Sequence, residues 1–239
     1  MSVLFVVRHG QASFLADDYD QLSPMGVEQS RVLGSFWAEN EVEVDEVYSG
    51  SLIRQRQTAE AAGESFTGAG KPWPQIQILE GLNEYDADRL MVDLLPELVD
   101  KHEQVRRLSQ EFEQAEEERD RYRTFHRLLE TLMAFYIAGE YESRGFETWR
   151  QFHDRVTGAL DQIRSRGGRG RRVAVFTSGG PIGVSVQTTL EAPEQQAGEI
   201  NWRVYNASVT GFTFRADRIS LDQFNSIGHL TTDRLRTYR

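Results

Sequence analysis

The chain has 239 residues, 39% of them apolar, enough for one medium domain or one domain carrying a large insertion. A formal net charge of −10 argues against nucleic acid or an acidic membrane as the main partner, and the absence of cysteine excludes a disulfide framework, a thiol nucleophile and a cysteine metal site. The opening MSVLFVVRHG carries an apolar run of five residues with no basic region ahead of it, so it reads neither as a signal peptide nor as a membrane span, and a cytoplasmic location is expected.

In chain order, Val3 to Val7 predicts a central strand buried on both faces. Ser23-Pro24 marks a helix start, with serine as cap and proline at the first helical position. Asp45 to Tyr48 is a second short strand leading into a helix within SGSLIRQRQTAEAA, and Ile76 to Leu79 is a third strand. The stretch 88–146 differs. Phe125, Leu128, Leu129, Leu132, Met133 and Tyr136 recur at the spacing of an amphipathic helix, which Gly139 would end. This segment is read as a helical insertion packed over the core as a cap. Its apolar stripe must be buried on the core or on a second subunit, so the oligomeric state stays open, with a homodimer as one alternative. Thr148 and Gln151 form a capping-box pair ahead of a helix whose apolar face is Trp149, Phe152, Val156, Leu160 and Ile163. RGGRGRR, 166–172, is a loop, and one short basic run in an acidic chain is thin ground for an RNA contact. Val173 to Thr177 is a fourth strand, and Ser208 to Phe214 with Ile219 to Phe224 form a closing hairpin around RADR. Strands alternating with helices imply an α/β fold, a three-layer α/β/α sandwich with a mostly parallel central sheet. The chain is taken as a single domain over 1–239 with the insertion at 88–146.

Three stretches could carry chemistry. VVRHG, 6–10, delivers Arg8 and His9 to the C-terminal end of a buried strand, the edge where ligands bind in open α/β sheets. Imidazole can be a nucleophile and arginine can clamp a phosphate with paired donors, though the tripeptide alone also fits a structural histidine beside a surface arginine. In SLIRQRQTAE, 51–60, Arg54 sits near a helix start, where it opposes the helix dipole unless an anion is shared; Arg56 reads as exposed. In GLNEYDADRL, 81–90, Glu84 lies just after the third strand, a sensible place for a general acid, while Asp86 and Asp88 read as solvated.

Together these stretches resemble the histidine phosphatase superfamily, also called phosphoglycerate mutase-like. RHG at 8–10 is its signature, and LSPMGVEQS (22–30), YSGSLIRQRQTAE (48–60), LNEYD (82–86) and FNSIGHL (224–230) are similar to its further blocks. The resemblance covers residues 1–86 and about 147–239, and the insertion falls where members carry variable cap elements. It implies that His9 attacks phosphorus and carries a phosphohistidine, that Arg8 and Arg54 hold the phosphoryl oxygens, and that Glu84 protonates the leaving group. It implies a small phosphorylated substrate and no metal or organic cofactor.

One position departs from the pattern. In VAVFTSGGPIGV, 173–184, the family's second histidine is replaced by Ser178, followed by Gly179. A strand, a glycine turn and a helix start make a good anion site, so Ser178 and Gly179 are candidate substrate-binding residues. A serine-hydrolase elbow needs glycine two positions before the serine, and Phe176 stands there. Either Ser178 donates a hydrogen bond in an altered but working pocket, or the chain is a phosphate-ester-binding scaffold with little turnover. A mutase is a weaker third reading. His229 reads as structural, and His102, His126 and His153 lack metal-ligand spacing. Specificity is expected to reside in the insertion and in Gln11 to Asp20.

Overall fold

The computed structural model describes residues 1–13, 20–142 and 145–238. Contacts divide the chain into two compact units, Met1–Glu84 with Arg155–Arg239, and Tyr85–Asp154.

The first unit is built on a six-stranded sheet of β1 (Ser2–Arg8), β2 (Glu46–Ser49), β3 (Ile76–Ile78), β4 (Arg172–Thr177), β5 (Val209–Arg215) and β6 (Arg218–Ser226), in the order β3-β2-β4-β1-β5-β6. The first four strands in that order run parallel, and β5 and β6 form an antiparallel hairpin beside β1. The fold is therefore α/β with a mixed sheet. Strands β1 and β4 lie in its middle, and their unbroken apolar sequences follow from that: Leu4, Val7 and Val173 to Phe176 are wholly buried.

The helices in chain order are α1 (Pro24–Glu39), α2 (Ile53–Gly68), a short α3 (Ala87–Arg89), α4 (Leu95–Lys101), α5 (Glu103–Glu113), α6 (Glu118–Ala138), α7 (Trp149–Arg164), α8 (Gly179–Thr189) and α9 (Gln195–Arg203). Ser23 caps α1 by accepting from the Gly26 amide at 3.1 Å, as its position before Pro24 predicts. The core beside the sheet joins Leu33 and Trp37 of α1 to Ala59, Ala62 and Phe66 of α2, with Val7 and Phe176 from the strands.

The basic loop has a structural use. Gly167, Gly168 and Gly170 adopt positive φ. Arg171 pairs with Glu46 through Nε at 2.6 Å and Nη2 at 2.9 Å. Arg172 pairs with Asp45 and Glu43, and Arg166 donates to Gln77 at 2.6 Å. Arg171 and Arg172 fasten the start of β4 to the start of β2, and Arg166 ties the loop to β3.

In the second unit, the stripe on α6 is buried: Leu128 and Leu132 are fully enclosed, and Phe125 meets Phe112 of α5 at 5.6 Å. Gly139 ends α6 in the left-handed conformation, φ 68°. Thr148 and Gln151 exchange bonds, with the Thr148 amide donating to Gln151 Oε1 at 2.8 Å and the Gln151 amide donating to Thr148 Oγ1 at 3.3 Å. This unit extends beyond 88–146 because aromatic side chains on both flanks join it. Phe152 meets Tyr85 edge-on at 5.7 Å, and Trp149 meets Tyr136 at 6.0 Å.

Candidate active site

The pairing register sets Arg8 beside Thr177, so His9 and Ser178 leave adjacent strands side by side. The turn at His9 is held by its backbone. Its amide donates to Thr177 O at 2.8 Å, and its carbonyl accepts from Ala207 N at 3.2 Å and Asn206 Nδ2 at 3.3 Å. The next amide, Gly10, donates to Thr58 Oγ1 at 3.0 Å. Glycine is needed at 10 for close approach rather than for the turn itself. A Cβ there would lie 2.4 Å from the Gly26 carbonyl oxygen, and one on Gly26 would lie 2.1 Å from that of Gln11.

The His9 ring orients itself through its own neighbour, with Nδ1 at 2.7 Å from Gly10 O. A carbonyl only accepts, so Nδ1 carries the proton and Nε2 presents a lone pair. Arg54 Nε donates to Nε2 at 3.3 Å. Arg54 is the second residue of α2, whose flanking residue Leu52 offers no side-chain cap. Asp20 supplies the cap instead, accepting from Ile53 N at 2.8 Å and pairing with Arg54 Nη1 at 2.7 Å. The anion that an arginine at a helix start requires is thus internal, a carboxylate more than thirty residues away in sequence. Arg8 Nη1 donates to the Val204 carbonyl. Arg8, His9 and Arg54 are 7%, 5% and 8% exposed, so all three are almost wholly buried.

Glu84 follows a 3₁₀ turn, Glu80–Leu82, after β3. Arg155 Nη1 pins this segment by donating to the carbonyls of Gly81 at 3.2 Å and Asn83 at 2.9 Å. Glu84 Oε2 accepts from Gly180 N at 3.0 Å, so the carboxylate caps α8, where Ser178 makes no side-chain cap. Ser178 itself is fully enclosed, and its Oγ accepts from Gln55 Nε2 at 2.8 Å. Gly179 is also buried, and a Cβ on it would lie 2.2 Å from Asn201 Oδ1. Ser178 and Gly179 therefore stand at the expected sheet edge but are closed in, whereas Arg8, His9, Arg54 and Glu84 keep some exposure.

His229 is almost completely buried, with its ring 6.0 Å from that of Phe36. Burial pushes its pKa down to about 4, only partly opposed by a hydrogen bond to the Ala207 backbone. His102, His126 and His153 lie on the second unit. Among the described residues no three His, Cys, Asp or Glu side chains group as a metal ion would need, and no helix is long and apolar enough to cross a membrane. A surface hollow of about 450 Å³ lined by Val27, Arg31, Phe36 and His229 shares no residue with the His9 group.

Residues 4–135 and 123–227 match the family model of the histidine phosphatase superfamily (branch 1). The chain belongs to this superfamily. Solved structures with the same fold include a phosphoserine phosphatase from Entamoeba histolytica in complex with 3-phosphoglyceric acid, at TM-score 0.61 and 18% identity, covering 96% of this chain and 100% of that one. A phosphoglycerate mutase from Bacillus anthracis follows at TM-score 0.62 and 16% identity, covering 96% and 95%. A mycobacterial glucosyl-3-phosphoglycerate phosphatase gives TM-score 0.61 and 18% identity, covering 94% and 99%. No curated protein is significantly similar in sequence.

In this member of the histidine phosphatase superfamily, sequence reasoning missed Asp20, Gln55, Arg155 and Asn206. One signal was available: a helix opening Ile-Arg behind Leu52 has no cap of its own and must borrow one. The others act through distances of 27 to 197 residues that no local pattern encodes. Of the stretch Gln11 to Asp20, residues 14–19 lie outside the described residues.

Proposed function

We propose that this chain is a phosphatase that hydrolyses a small phosphate monoester through a phosphohistidine on His9. In the first step His9 Nε2 forms a bond to phosphorus as the ester P–O bond breaks, and Glu84 gives its proton to the departing oxygen. In the second, water attacks the phosphorus, Glu84 takes a proton from it, and inorganic phosphate leaves with Nε2 restored. Arg8 and Arg54 hold the phosphoryl oxygens, with the N-terminus of α8 beside them. An entering phosphoryl group takes over the Arg54 donor that meets Nε2 in the resting site.

The observation that carries this reading is the His9 ring: Nδ1 tied to Gly10 O and the Nε2 lone pair facing the Arg54 guanidinium. The named structural relatives include phosphatases for phosphoserine and glucosyl-3-phosphoglycerate, which supports a small monoester. The test is steady-state hydrolysis of a panel of phosphate esters by wild type and His9→Ala. Turnover lost in the variant is expected; turnover surviving unchanged removes His9 as nucleophile.

A scaffold that binds a phosphate ester with little turnover is the second reading. The enclosure of Ser178 favours it, since the place of the second histidine presents neither a cation nor an open hydroxyl. Wild type that binds phosphate but hydrolyses no ester decides for the scaffold.

A further inference from the structure

Three chain segments meet at one buried carboxamide. Gln55 is the third residue of α2, directly after Arg54, and is fully enclosed. Its Nε2 donates to Ser178 Oγ at 2.8 Å and to the Leu82 carbonyl at 3.2 Å. The same carbonyl accepts from Thr177 Oγ1 at 2.5 Å. The Leu82 oxygen fixes which way the amide points, because a flipped carboxamide would set two acceptors against each other. The chosen orientation leaves Gln55 Oε1 without a hydrogen-bond partner. A buried orphan acceptor is disfavoured, so the two donated bonds are what hold this side chain in place.

Those two bonds reach the segments that meet again at Glu84. Leu82 lies two residues before Glu84, Ser178 lies two residues before Gly180, and Glu84 Oε2 accepts from Gly180 N at 3.0 Å. Gln55 therefore clasps the base of a pair of segments whose tips join at the carboxylate. From the same helical turn, Arg54 reaches His9 Nε2. We propose that Gln55 is a positioning residue that fixes Glu84 relative to His9 by clasping segment 82–84 to segment 177–180. The inference rests on the reading of Glu84 as the proton donor.

The experiment compares two substrates. 4-Nitrophenyl phosphate releases a stable anion that needs no proton, whereas glycerol phosphate releases an alkoxide that does. General acid catalysis contributes roughly 10²–10⁴-fold, so in the first step, the phosphoryl transfer to His9, a misplaced acid forfeits part of that factor on the second ester only. Gln55→Leu is expected to lower kcat/KM, which covers the steps up to release of the leaving group, by roughly tenfold to a hundredfold more for glycerol phosphate than for 4-nitrophenyl phosphate, whereas the shared hydrolysis of the phosphohistidine enters kcat for both. Thermal unfolding monitors the fold. If Gln55→Leu is unfolded, Gln55→Met, which keeps the length and removes both donors, takes its place. Glu84→Gln, measured alongside, separates the two claims. Selective loss in Glu84→Gln with equal loss on both esters in the Gln55 variant overturns the positioning role alone. Equal loss on both esters in Glu84→Gln overturns Glu84 as proton donor and the role of Gln55 with it.

Discussion

The ends of β1 and β4 make a controlled comparison inside one molecule. The strands are parallel neighbours in register, and each ends in a polar residue followed by glycine, His9-Gly10 and Ser178-Gly179. At β1 the ring uses one nitrogen to bond the adjacent carbonyl and turns the other toward Arg54. At β4 the side chain is too short to reach outward, and α2 covers it with Gln55. A place on the ligand edge of a sheet is thus not sufficient for exposure. The reach of the side chain, and what the neighbouring helix lays over it, decide which end stays open.

The comparison can be broken most severely at His9. His9→Ala is expected to lower kcat at least roughly ten-thousandfold, since no other group replaces the nucleophile. Arg54→Ala comes next: it removes a preorganised donor from the phosphoryl group and leaves Asp20 without its guanidinium, for a loss of about a hundred- to a thousandfold in kcat. A loss under tenfold would show that Arg54 serves Asp20 and the helix start rather than the reaction.

Behind the β1 end lies a buried imidazole whose protonation should cost stability. His229 bonds the Ala207 backbone, and the Ala207 amide donates to the His9 carbonyl. Its folded pKa of about 4 lies below the ordinary imidazole value of about 6.5, so the folded state disfavours the proton. Stability is therefore complete above about pH 6.5 and falls as pH drops toward 4, by about 3 kcal/mol at full protonation. Urea unfolding of wild type and His229→Gln between pH 7 and 4 checks this, with a flatter profile expected for the variant.

At the β4 end, Ser178→His forces a ring into space that Gln55 fills, an overpacking worth about 1–3 kcal/mol that Gln55→Ala should relieve. Thermal unfolding of the two single variants and the double variant measures the coupling; additive effects would mean that Gln55 does not occupy that space. Ser178→Ala should have the smallest consequence for 4-nitrophenyl phosphate, less than about tenfold in kcat, because among the described residues the enclosed hydroxyl bonds Gln55 alone; on glycerol phosphate it should lose more, since it removes one of the two bonds of the Gln55 clasp. A thousandfold loss on 4-nitrophenyl phosphate would place the serine in direct contact with the phosphoryl group.

Much of the framework was legible in sequence because it rests on local rules. The unbroken apolar runs placed β1 and β4, Ser23-Pro24 placed the start of α1, and Thr148 with Gln151 placed the start of α7. The candidate site was legible in its own stretches for the same reason: His9, Arg54, Glu84 and Ser178 each follow a strand that could be recognised. What joins them was not. Asp20 capping α2, Gln55 over Ser178 and Arg155 on the carbonyls of Gly81 and Asn83 are long-range contacts made by residue types that are common on surfaces. The limits of the compact unit Tyr85–Asp154 follow from no local pattern, because Tyr85 and Phe152 pair only after the chain has folded.

The most direct measurement is rapid quenching of wild type during turnover of a phosphate ester, followed by location of the trapped phosphate by mass spectrometry. The account predicts phosphate on His9, stable in alkali, lost in acid, and absent from His9→Ala. Hydrolysis that proceeds without any such phosphoenzyme, or phosphate trapped at another residue, would contradict it.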